Sequence, residues 1–219
     1  MKNKKFILIF FIIVTILLVI IIYYFSLQML DDNYSQQTTT PEINPQNNTS
    51  FQQNKVKDKK IKEFKLYSPT FQNNGKIPVK YCDFGIKGGQ NISIPIKWEN
   101  VPHNTQSLFL VIVDPHPVAR NWIHWIIKDI PIDTFEIVEN ASNTKTLPQK
   151  AIELKGTQGD NFYHGPQPPK GTGSHPYEIH LYALNTNDFT ISDQPNWQEI
   201  QNTLSPITIK ESVLIGYYP

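Results

Sequence analysis

From Phe64 onward, short apolar segments alternate with turn residues along the chain. The segments FKLY, IPVKY, NISIPIKW, SLFLVIVD, WIHWIIKDI, YEIHLYAL and SVLIGYY are rich in β-branched and aromatic residues, and Pro, Gly or Asn fills the gaps between them. This pattern is typical of β-strands. In YEIHLYAL, Tyr177, Ile179, Leu181 and Ala183 alternate with other residues, which predicts a strand with one well-buried face.

One late segment, SDQPNWQEIQNTL, has the spacing of a helix instead. Trp197, Ile200 and Leu204 fall on one helical face, and Ser192 or Asp193 is suited to cap its N-terminus. The pattern therefore predicts a mainly β domain, with two packed sheets forming a sandwich and one or two small peripheral helices.

Hydrophobicity divides the chain into four parts. Residues 1–5 form a short cytoplasmic tail, 6–25 a transmembrane helix, 26–60 a flexible linker and 61–219 the folded domain. The linker is predicted from its composition, because it is rich in Asn and Gln, poor in apolar residues and ends in the charged run KVKDKK.

The membrane helix is predicted from 20 consecutive uncharged residues, FILIFFIIVTILLVIIIYYF, a length that crosses the hydrocarbon core. Lys2, Lys4 and Lys5 precede it, so the N-terminus stays in the cytoplasm and the domain faces the periplasm or the exterior. The alternative is a cleaved signal peptide and a secreted domain. We favour the uncleaved anchor because the apolar stretch is longer than a usual signal-peptide core and no A-x-A-like cleavage site follows it.

Charge and cysteine content exclude several partners. Residues 61–219 carry 13 basic and 15 acidic side chains, a net charge of −2, which does not favour nucleic-acid binding. Cys82 is the only cysteine, so the chain has no internal disulfide and no cysteine-based zinc site. We expect Cys82 to be a buried, inert thiol.

The first candidate for chemistry is the loop DPHPVARNWIHW, which follows the apolar run LFLVIV. It is stiffened by proline and offers Asp114, His116 and His124 to a ligand, although a plain strand, turn and strand explain it as well. Histidines can bind metal, move protons or bind anions. The six histidines show no H-x-x-x-H pair with a third ligand, and G-x-S-x-G is absent, so neither a zinc site nor a serine hydrolase has a motif here. We predict no metal and no cofactor.

The second candidate is the stretch GPQPPKGTGSHPY. Three prolines and three glycines fall within residues 165–173 and predict a stiff loop whose glycines let backbone N–H groups approach a ligand. His175 and Tyr177 follow two residues apart on a predicted strand, so both side chains face the same side. A proline-rich loop with a purely structural role is the equal alternative.

Taken together, these stretches resemble a known family. NISIPIKWENVP, LFLVIVDPHPVARNWIHWIIKDIP and GPQPPKGTGSHPYEIHLYAL are similar, in order and spacing, to the phosphatidylethanolamine-binding proteins, which include the Raf kinase inhibitor proteins, and to their short prokaryotic branch in particular. The resemblance spans residues 64–218 and implies a β-sandwich with a small pocket for phosphate-like groups and phospholipid head groups. The pocket residues that it implies are Asp114, His124, Gly165, Pro168, His175 and Tyr177.

The chain departs from the family pattern in the first of these loops. The family's D-P-D-A-P corresponds to Asp114–Val118 here, so His116 replaces an acid and Val118 replaces a proline whose peptide is often cis in relatives. A cis peptide before valine costs about 2.5 to 4 kcal/mol. Pro176 stands where an arginine is common and removes a cation. We hypothesise that His116 offsets that lost charge at mildly acidic pH and include it among the ligand-binding candidates.

Three functions remain open at this stage. The first is a membrane-anchored binding protein for a phosphate-like ligand or phospholipid head group. The second is a protein-interaction module, such as an inhibitor of a kinase or protease. The third is a hydrolase using the His and Asp cluster, which we disfavour because no nucleophile motif supports it.

Overall fold

The computed structural model describes residues 62–219. These residues form one structural unit. The predicted tail, membrane helix and linker, residues 1–60, lie outside the described residues. No helix in the described part of the chain combines the length and apolarity needed to cross a membrane.

Within residues 62–219 the fold is mainly β, with few small helices, as the sequence predicts. The strands are β1 (Lys65–Tyr67), β2 (Gly75–Lys76), β3 (Ile96–Glu99), β4 (Ser107–Asp114), β5 (Trp122–Ile130), β6 (Glu136–Ile137), β7 (Ile152–Leu154), β8 (His175–Leu184) and β9 (Thr208–Tyr218). The helices are α1 (Ala141–Thr144) and α2 (Trp197–Leu204).

Six strands form the larger sheet in the order β2-β9-β8-β4-β5-β7, and a smaller sheet has the order β1-β3-β6. Every pairing is antiparallel except the short parallel pairing of β2 with β9. Apolar residues of both sheets meet in one core, so the two sheets pack face to face.

The larger sheet is covered on both faces. Along β4, alternate side chains enter two different cores, and the outer core also contains Ile200 and Leu204 of α2. The side chains of β4 in the inner core are Leu108, Leu110 and Ile112, and those in the outer core are Phe109, Val111 and Val113. The prediction of one buried face for β8 is therefore too simple, because the face of β8 that carries Tyr182 packs into the outer core.

Two further predictions are corrected by local backbone chemistry. IPVKY does not form a strand: Val79–Tyr81 is a turn of 3-10 helix, and Pro78 has no N–H to donate to a sheet ladder. The cap of α2 is neither Ser192 nor Asp193 but Asn196, whose side-chain oxygen accepts a hydrogen bond from the Glu199 N–H.

Candidate functional site

Three strands of the larger sheet meet at one edge. β4 ends at Asp114, which pairs with Trp122 at the start of β5, and β8 begins nearby at His175. The neighbouring pair Val113 and Glu178 joins β4 to β8. The two loops singled out in the sequence therefore lie side by side, although 61 positions separate Asp114 from His175 along the chain.

A β-bulge lies at this edge. Ile112 pairs with Trp125 and Val113 pairs with Ile123, so His124 is an extra residue without a partner on β4. Bulges redirect side chains and are common beside functional sites. Here Trp125 enters the inner core and Ile123 the outer core, while the imidazole of His124 lines a cavity between the loops.

The cavity has a volume of about 450 Å³. It brings together six of the seven candidate residues from the sequence, and their role as ligand contacts stays a prediction. The six are Asp114, His124, Gly165, Pro168, His175 and Tyr177. His116 is not among the described residues that line the cavity.

His116 lies behind His175 instead. The two imidazole rings are stacked, with 3.7 Å between centroids and an angle of 18° between planes. The His116 N–H donates to Asp114 Oδ1 at 2.9 Å, and its Nδ1 accepts from the Val118 N–H at 3.3 Å. Any influence of His116 on a ligand in the cavity is therefore transmitted through His175 and Asp114. The peptide before Val118 is trans.

Asp114 and His175 form a buried pair. Asp114 Oδ2 lies 2.6 Å from His175 Nδ1, and the two side chains are 5% and 1% exposed. Because an ionised carboxylate only accepts, Nδ1 donates. Thr172 Oγ1 lies 2.8 Å from the other ring nitrogen of His175 and also donates to the Pro169 carbonyl. Both nitrogens of His175 are thus engaged, and the pair forms a fixed wall of the cavity.

His124 has the opposite arrangement, with one nitrogen bound and one free. Its Nδ1 lies 2.7 Å from the carbonyl oxygen of His164, so Nδ1 carries the hydrogen. No described group hydrogen-bonds to Nε2. Burial lowers the pKa of His124 to about 4, so the ring is neutral at physiological pH and Nε2 is an acceptor.

Tyr177 supplies a hydrogen-bond donor next to this acceptor. Its ring packs edge-on against His124 at 5.0 Å between centroids. Burial raises the pKa of the Tyr177 hydroxyl well above its usual value, so the hydroxyl keeps its proton. No described residue accepts that proton. The cavity therefore contains a donor and an acceptor, both free of protein partners.

Gly165 lines the cavity for a reason that differs from the predicted one. Its N–H is not available to a ligand, because it donates to Asn91 Oδ1 at 2.7 Å. A side chain at this position would overlap the carbonyl oxygen of Tyr81 and come within 2.7 Å of the Asp83 backbone nitrogen. Glycine is needed here so that the loop can pass close to the residues 81–83 backbone.

The structure also adds residues that sequence reasoning missed. Asp83, Gln158 and His164 line the cavity, and Trp122 stands beside His124 at 4.5 Å between ring centroids. His164 was visible as one of six histidines, whereas Asp83 follows an unremarkable turn and carries no sequence signal. The described lining contains two carboxylates, from Asp83 and Asp114, but no lysine or arginine.

Metal binding and thiol chemistry have little support in this region. Within residues 62–219, no group of three or more His, Cys, Asp or Glu side chains is arranged to hold a metal ion. Cys82 is fully buried, and burial raises the pKa of its thiol to about 11, so it is not a thiolate nucleophile at neutral pH.

Known proteins resemble the chain over most of the residues that the structure describes. The family model described as phosphatidylethanolamine-binding protein matches residues 67–219. The UPF0098 protein of Methanothermobacter thermautotrophicus is 33% identical over 154 residues, covering 70% of this chain and 97% of that protein. A protein named as a lipoprotein, LppC of Mycobacterium tuberculosis, is 32% identical over 119 residues, 54% of each chain.

A solved structure shares the fold. YbcL of Escherichia coli, described as a member of the mammalian PEBP family, superposes with a TM-score of 0.65 at 24% identity. The match covers 72% of this chain and 98% of YbcL.

Proposed function

The chain belongs to the phosphatidylethanolamine-binding protein family, and from this premise we propose that it is a membrane-anchored binding protein for phosphate-like groups or phospholipid head groups. The observation that carries the proposal is the buried His124, whose Nε2 faces the cavity without a protein partner. Tyr177 also lines the cavity, its ring packs edge-on against His124, and no described residue accepts its hydroxyl hydrogen.

The size and shape of the cavity suit a phosphate group. A volume of about 450 Å³ exceeds what a phosphate monoester or phosphoethanolamine needs, and ligand pockets commonly measure about 300 to 1,000 Å³. The fixed Asp114–His175 wall orients such a ligand, while the Tyr177 hydroxyl donates to one of its oxygens.

The charge of the cavity favours a ligand that brings its own proton or ammonium group. Asp83 and Asp114 repel a bare dianion, and neutral His124 offers an acceptor rather than a donor. A phosphate monoanion can donate its P–OH hydrogen to His124 Nε2. Alternatively, a bound dianion raises the pKa of His124 and draws in a proton. In both cases the complex holds one proton more than the bare dianion, so affinity rises as pH falls to the second pKa of a phosphate monoester, about 6, and then levels off.

Asp83 is the natural partner for an ammonium group. Its Oδ1 accepts from the Gly85 N–H, and the described ring nitrogen near its Oδ2 is His164 Nδ1, at 3.9 Å. A zwitterionic head group can therefore satisfy both ends of the cavity, with phosphate near His124 and the amine near Asp83.

Membrane anchoring is proposed from the sequence. The apolar segment 6–25 has the length of a membrane helix, and the likeness to LppC, a protein named as a lipoprotein, supports attachment of this domain type to a membrane. We propose that the domain faces the outer side.

A binding role is favoured over catalysis because the cavity offers no activated nucleophile. Cys82 is buried with a raised thiol pKa, and the Thr172 hydroxyl donates its single hydrogen to the Pro169 carbonyl.

Protein interaction is the second candidate. It rests on Phe84 and Val118, which are 73% and 52% exposed. Val118 lines the cavity, and Phe84 follows the lining residue Asp83. Large exposed apolar side chains of this kind are typical of docking surfaces.

Titration calorimetry on the full chain tests the proposal. The chain is held in a polyoxyethylene detergent, which carries neither phosphate nor sugar, and titrated with inorganic phosphate, phosphoethanolamine and soluble short-chain phosphatidylethanolamine. Removal of the Nε2 contact by His124→Ala should weaken binding at least tenfold, about 1.4 kcal/mol. The exposed His103 is the control position, and His103→Ala should leave affinity unchanged.

Equal affinity of the wild type and His124→Ala for all three ligands would contradict the anion-pocket proposal. Loss of binding to a partner protein on Phe84→Ser, with phosphate affinity intact, would favour the second candidate.

A further inference from the structure

A second cleft adjoins the His124 cavity on the other side of the loop between β4 and β5. We refer to it as the side cleft; its volume is about 470 Å³. It is lined by this loop and by the start of α2. The polar and aromatic residues of its lining are Arg120, Asn121, Trp122, Asn196, Trp197 and Gln198.

The side cleft and the His124 cavity share a wall. Ala119 and Trp122 line both of them. Trp122 is half-buried, and its indole packs against the imidazoles of His124 and His164, at 4.5 and 6.2 Å between centroids. Ala119 contributes only a methyl group to the wall. At Ala119, a ligand in the first cavity would have only this methyl group to pass in order to reach the second.

The chemistry of the side cleft differs from that of the first cavity. It contains two indoles, three side-chain amides and Arg120, the only arginine of the chain, and its described lining has no carboxylate and no lysine. Amides both donate and accept, and a guanidinium donates along a planar fork. Such groups match vicinal hydroxyls, which present donor and acceptor oxygens at a fixed spacing.

The two indoles suit the apolar face of a sugar ring. A pyranose ring presents a face of C–H groups, whose weakly positive hydrogens are attracted to the negative face of an aromatic ring. Trp197 stands at the start of α2 and Trp122 in the shared wall. A sugar ring needs both aromatic groups and planar polar groups, and the lining of the side cleft supplies both.

The backbone holds the loop in a strained form that presents these groups. Arg120 and Asn121 have φ values of 53° and 60°, in the left-handed region. This conformation costs roughly 1 to 2 kcal/mol for a residue other than glycine. The N–H groups of Ala119 and Arg120 both donate to the carbonyl oxygen of His116, at 2.8 and 3.0 Å, and fix the turn. Retained strain of this kind is common where a loop contacts a ligand.

We propose that the side cleft binds the sugar of a glycosyl phosphate whose phosphoryl group occupies the His124 cavity. This inference rests on the proposed function and adds the substrate class, a sugar attached to phosphate. It requires that the sugar contribute binding energy of its own, beyond that of the phosphate.

Calorimetry with matched phosphate monoesters tests this inference. The full chain in polyoxyethylene detergent is titrated with methyl phosphate, glucose 1-phosphate and N-acetylglucosamine 1-phosphate at one pH. At least one of the sugar phosphates should bind tenfold or more tightly than methyl phosphate. If methyl phosphate binds and neither sugar phosphate binds more tightly, the sugar site is contradicted while the proposed function still stands. If methyl phosphate does not bind, the proposed function fails.

Variants of the side cleft assign any gain to its residues. Arg120→Asn keeps a residue that tolerates the left-handed conformation, and Gln198→Ala removes one exposed amide. Each should reduce the ratio of sugar phosphate to methyl phosphate affinity by threefold or more, with methyl phosphate affinity unchanged. A ratio that stays at the wild-type value in both variants contradicts the inference.

Charge is controlled by Lys170→Ala. Lys170 is exposed and follows Pro169 of the first cavity, so its removal takes away one positive charge outside the side cleft. The affinity ratio should be unaffected. A loss equal to that of Arg120→Asn would mean general attraction of anions and would overturn the sugar site.

Discussion

Two buried histidines on neighbouring regions of the same sheet have opposite surroundings. His124 on β5 is 6% exposed and His180 on β8 is 7% exposed. His180 Nδ1 lies 2.6 Å from Glu211 Oε1, and its Nε2 lies 3.1 Å from Glu178 Oε2. Among residues 62–219, His124 has a single such partner, the His164 carbonyl, and its other nitrogen faces the cavity.

The difference shows that burial alone does not identify a site. The ring of His180 is fully satisfied and packs against Trp197 of α2 at 5.1 Å between centroids, so it stabilises the outer face of the sheet. The Nε2 of His124, by contrast, opens to the cavity and accepts no hydrogen bond from any described residue, so it is available to a ligand. A ligand is the simplest group to fill that position.

The largest expected effect is on stability, at the close approach between Gly165 and the backbone of residues 81–83. Gly165→Ala forces a side chain against the Tyr81 carbonyl and the Asp83 backbone, where neither neighbour can move easily. Overpacking of this kind should lower the free energy of unfolding by about 3 kcal/mol or more, measured by urea denaturation. Gly171→Ala is the control: φ is 85° and no atom lies within 4 Å of the added carbon, so about 1 kcal/mol is expected. Equal losses of unfolding free energy in the two variants would contradict a close approach of Gly165 to the Tyr81 carbonyl.

The next largest effect is expected on the free energy of unfolding at acidic pH, through His124. Burial holds the pKa of His124 near 4, below the 6.5 of an unfolded chain, so the unfolded state binds the extra proton first. Stability conferred by the neutral ring is complete above pH 6.5 and is lost as pH falls to 4, on the order of 3 kcal/mol. In His124→Asn, the amide N–H can replace Nδ1–H and nothing titrates.

The measurement is the free energy of unfolding of wild type and His124→Asn at pH 7 and pH 4. The variant should lose less stability on acidification, whereas the exposed-site control His103→Asn should behave as the wild type does. Parallel losses in the wild type and His124→Asn would show that His124 is not buried as a neutral ring.

Replacement of the satisfied histidine should affect stability and not binding. His180→Ala leaves Glu178 and Glu211 without their shared partner, and the exposed Glu211 has a pKa lowered chiefly by its hydrogen bond to His180. We expect the free energy of unfolding to fall by about 2 kcal/mol. Phosphate affinity at a temperature where the variant is folded should equal that of the wild type. A tenfold loss of phosphate affinity would contradict the conclusion that His180 has a structural role and His124 a binding role.

The smallest effect is expected at His116. Because its ring stacks on His175 outside the cavity lining, His116→Ala should change phosphate affinity by about twofold or less between pH 5 and 8, by calorimetry. A tenfold loss confined to acidic pH would restore the idea that His116 supplies the charge missing at Pro176.

Much of this fold follows from residue patterns. The alternation along SLFLVIVD and YEIHLYAL predicts strands, and β4 and β8 form within those segments. The covering of both sheet faces does not follow, because His180 and Tyr182 resemble solvent-facing residues until α2 packs over them. The alternation of polar and apolar residues along a strand does not indicate which helix or strand will pack against each of its faces.

The candidate residues were predictable from their loops, but their arrangement was not. Motif spacing selects Asp114 and His175, which the structure joins at 2.6 Å. The bulge at His124 depends on how β5 pairs with β4, which no local pattern encodes. Asp83 reaches the cavity only through tertiary folding, and Gly165 is required by the nearness of Tyr81, so neither role could be deduced from the residues alone.

The most direct test follows the protonation of the His124 ring itself. Nitrogen-15 NMR of the full chain in detergent, with histidine labelled and His124 assigned by His124→Asn, measures the pKa of the ring with and without phosphate. We predict a pKa of about 4 in the free protein, with Nδ1 protonated throughout, and a displaced Nε2 signal at pH 6 when phosphate is bound, because Nε2 either accepts the P–OH hydrogen or takes up the proton. An Nε2 signal and a ring pKa that phosphate both leaves unchanged would show that Nε2 has no contact with the anion and would contradict the proposed function.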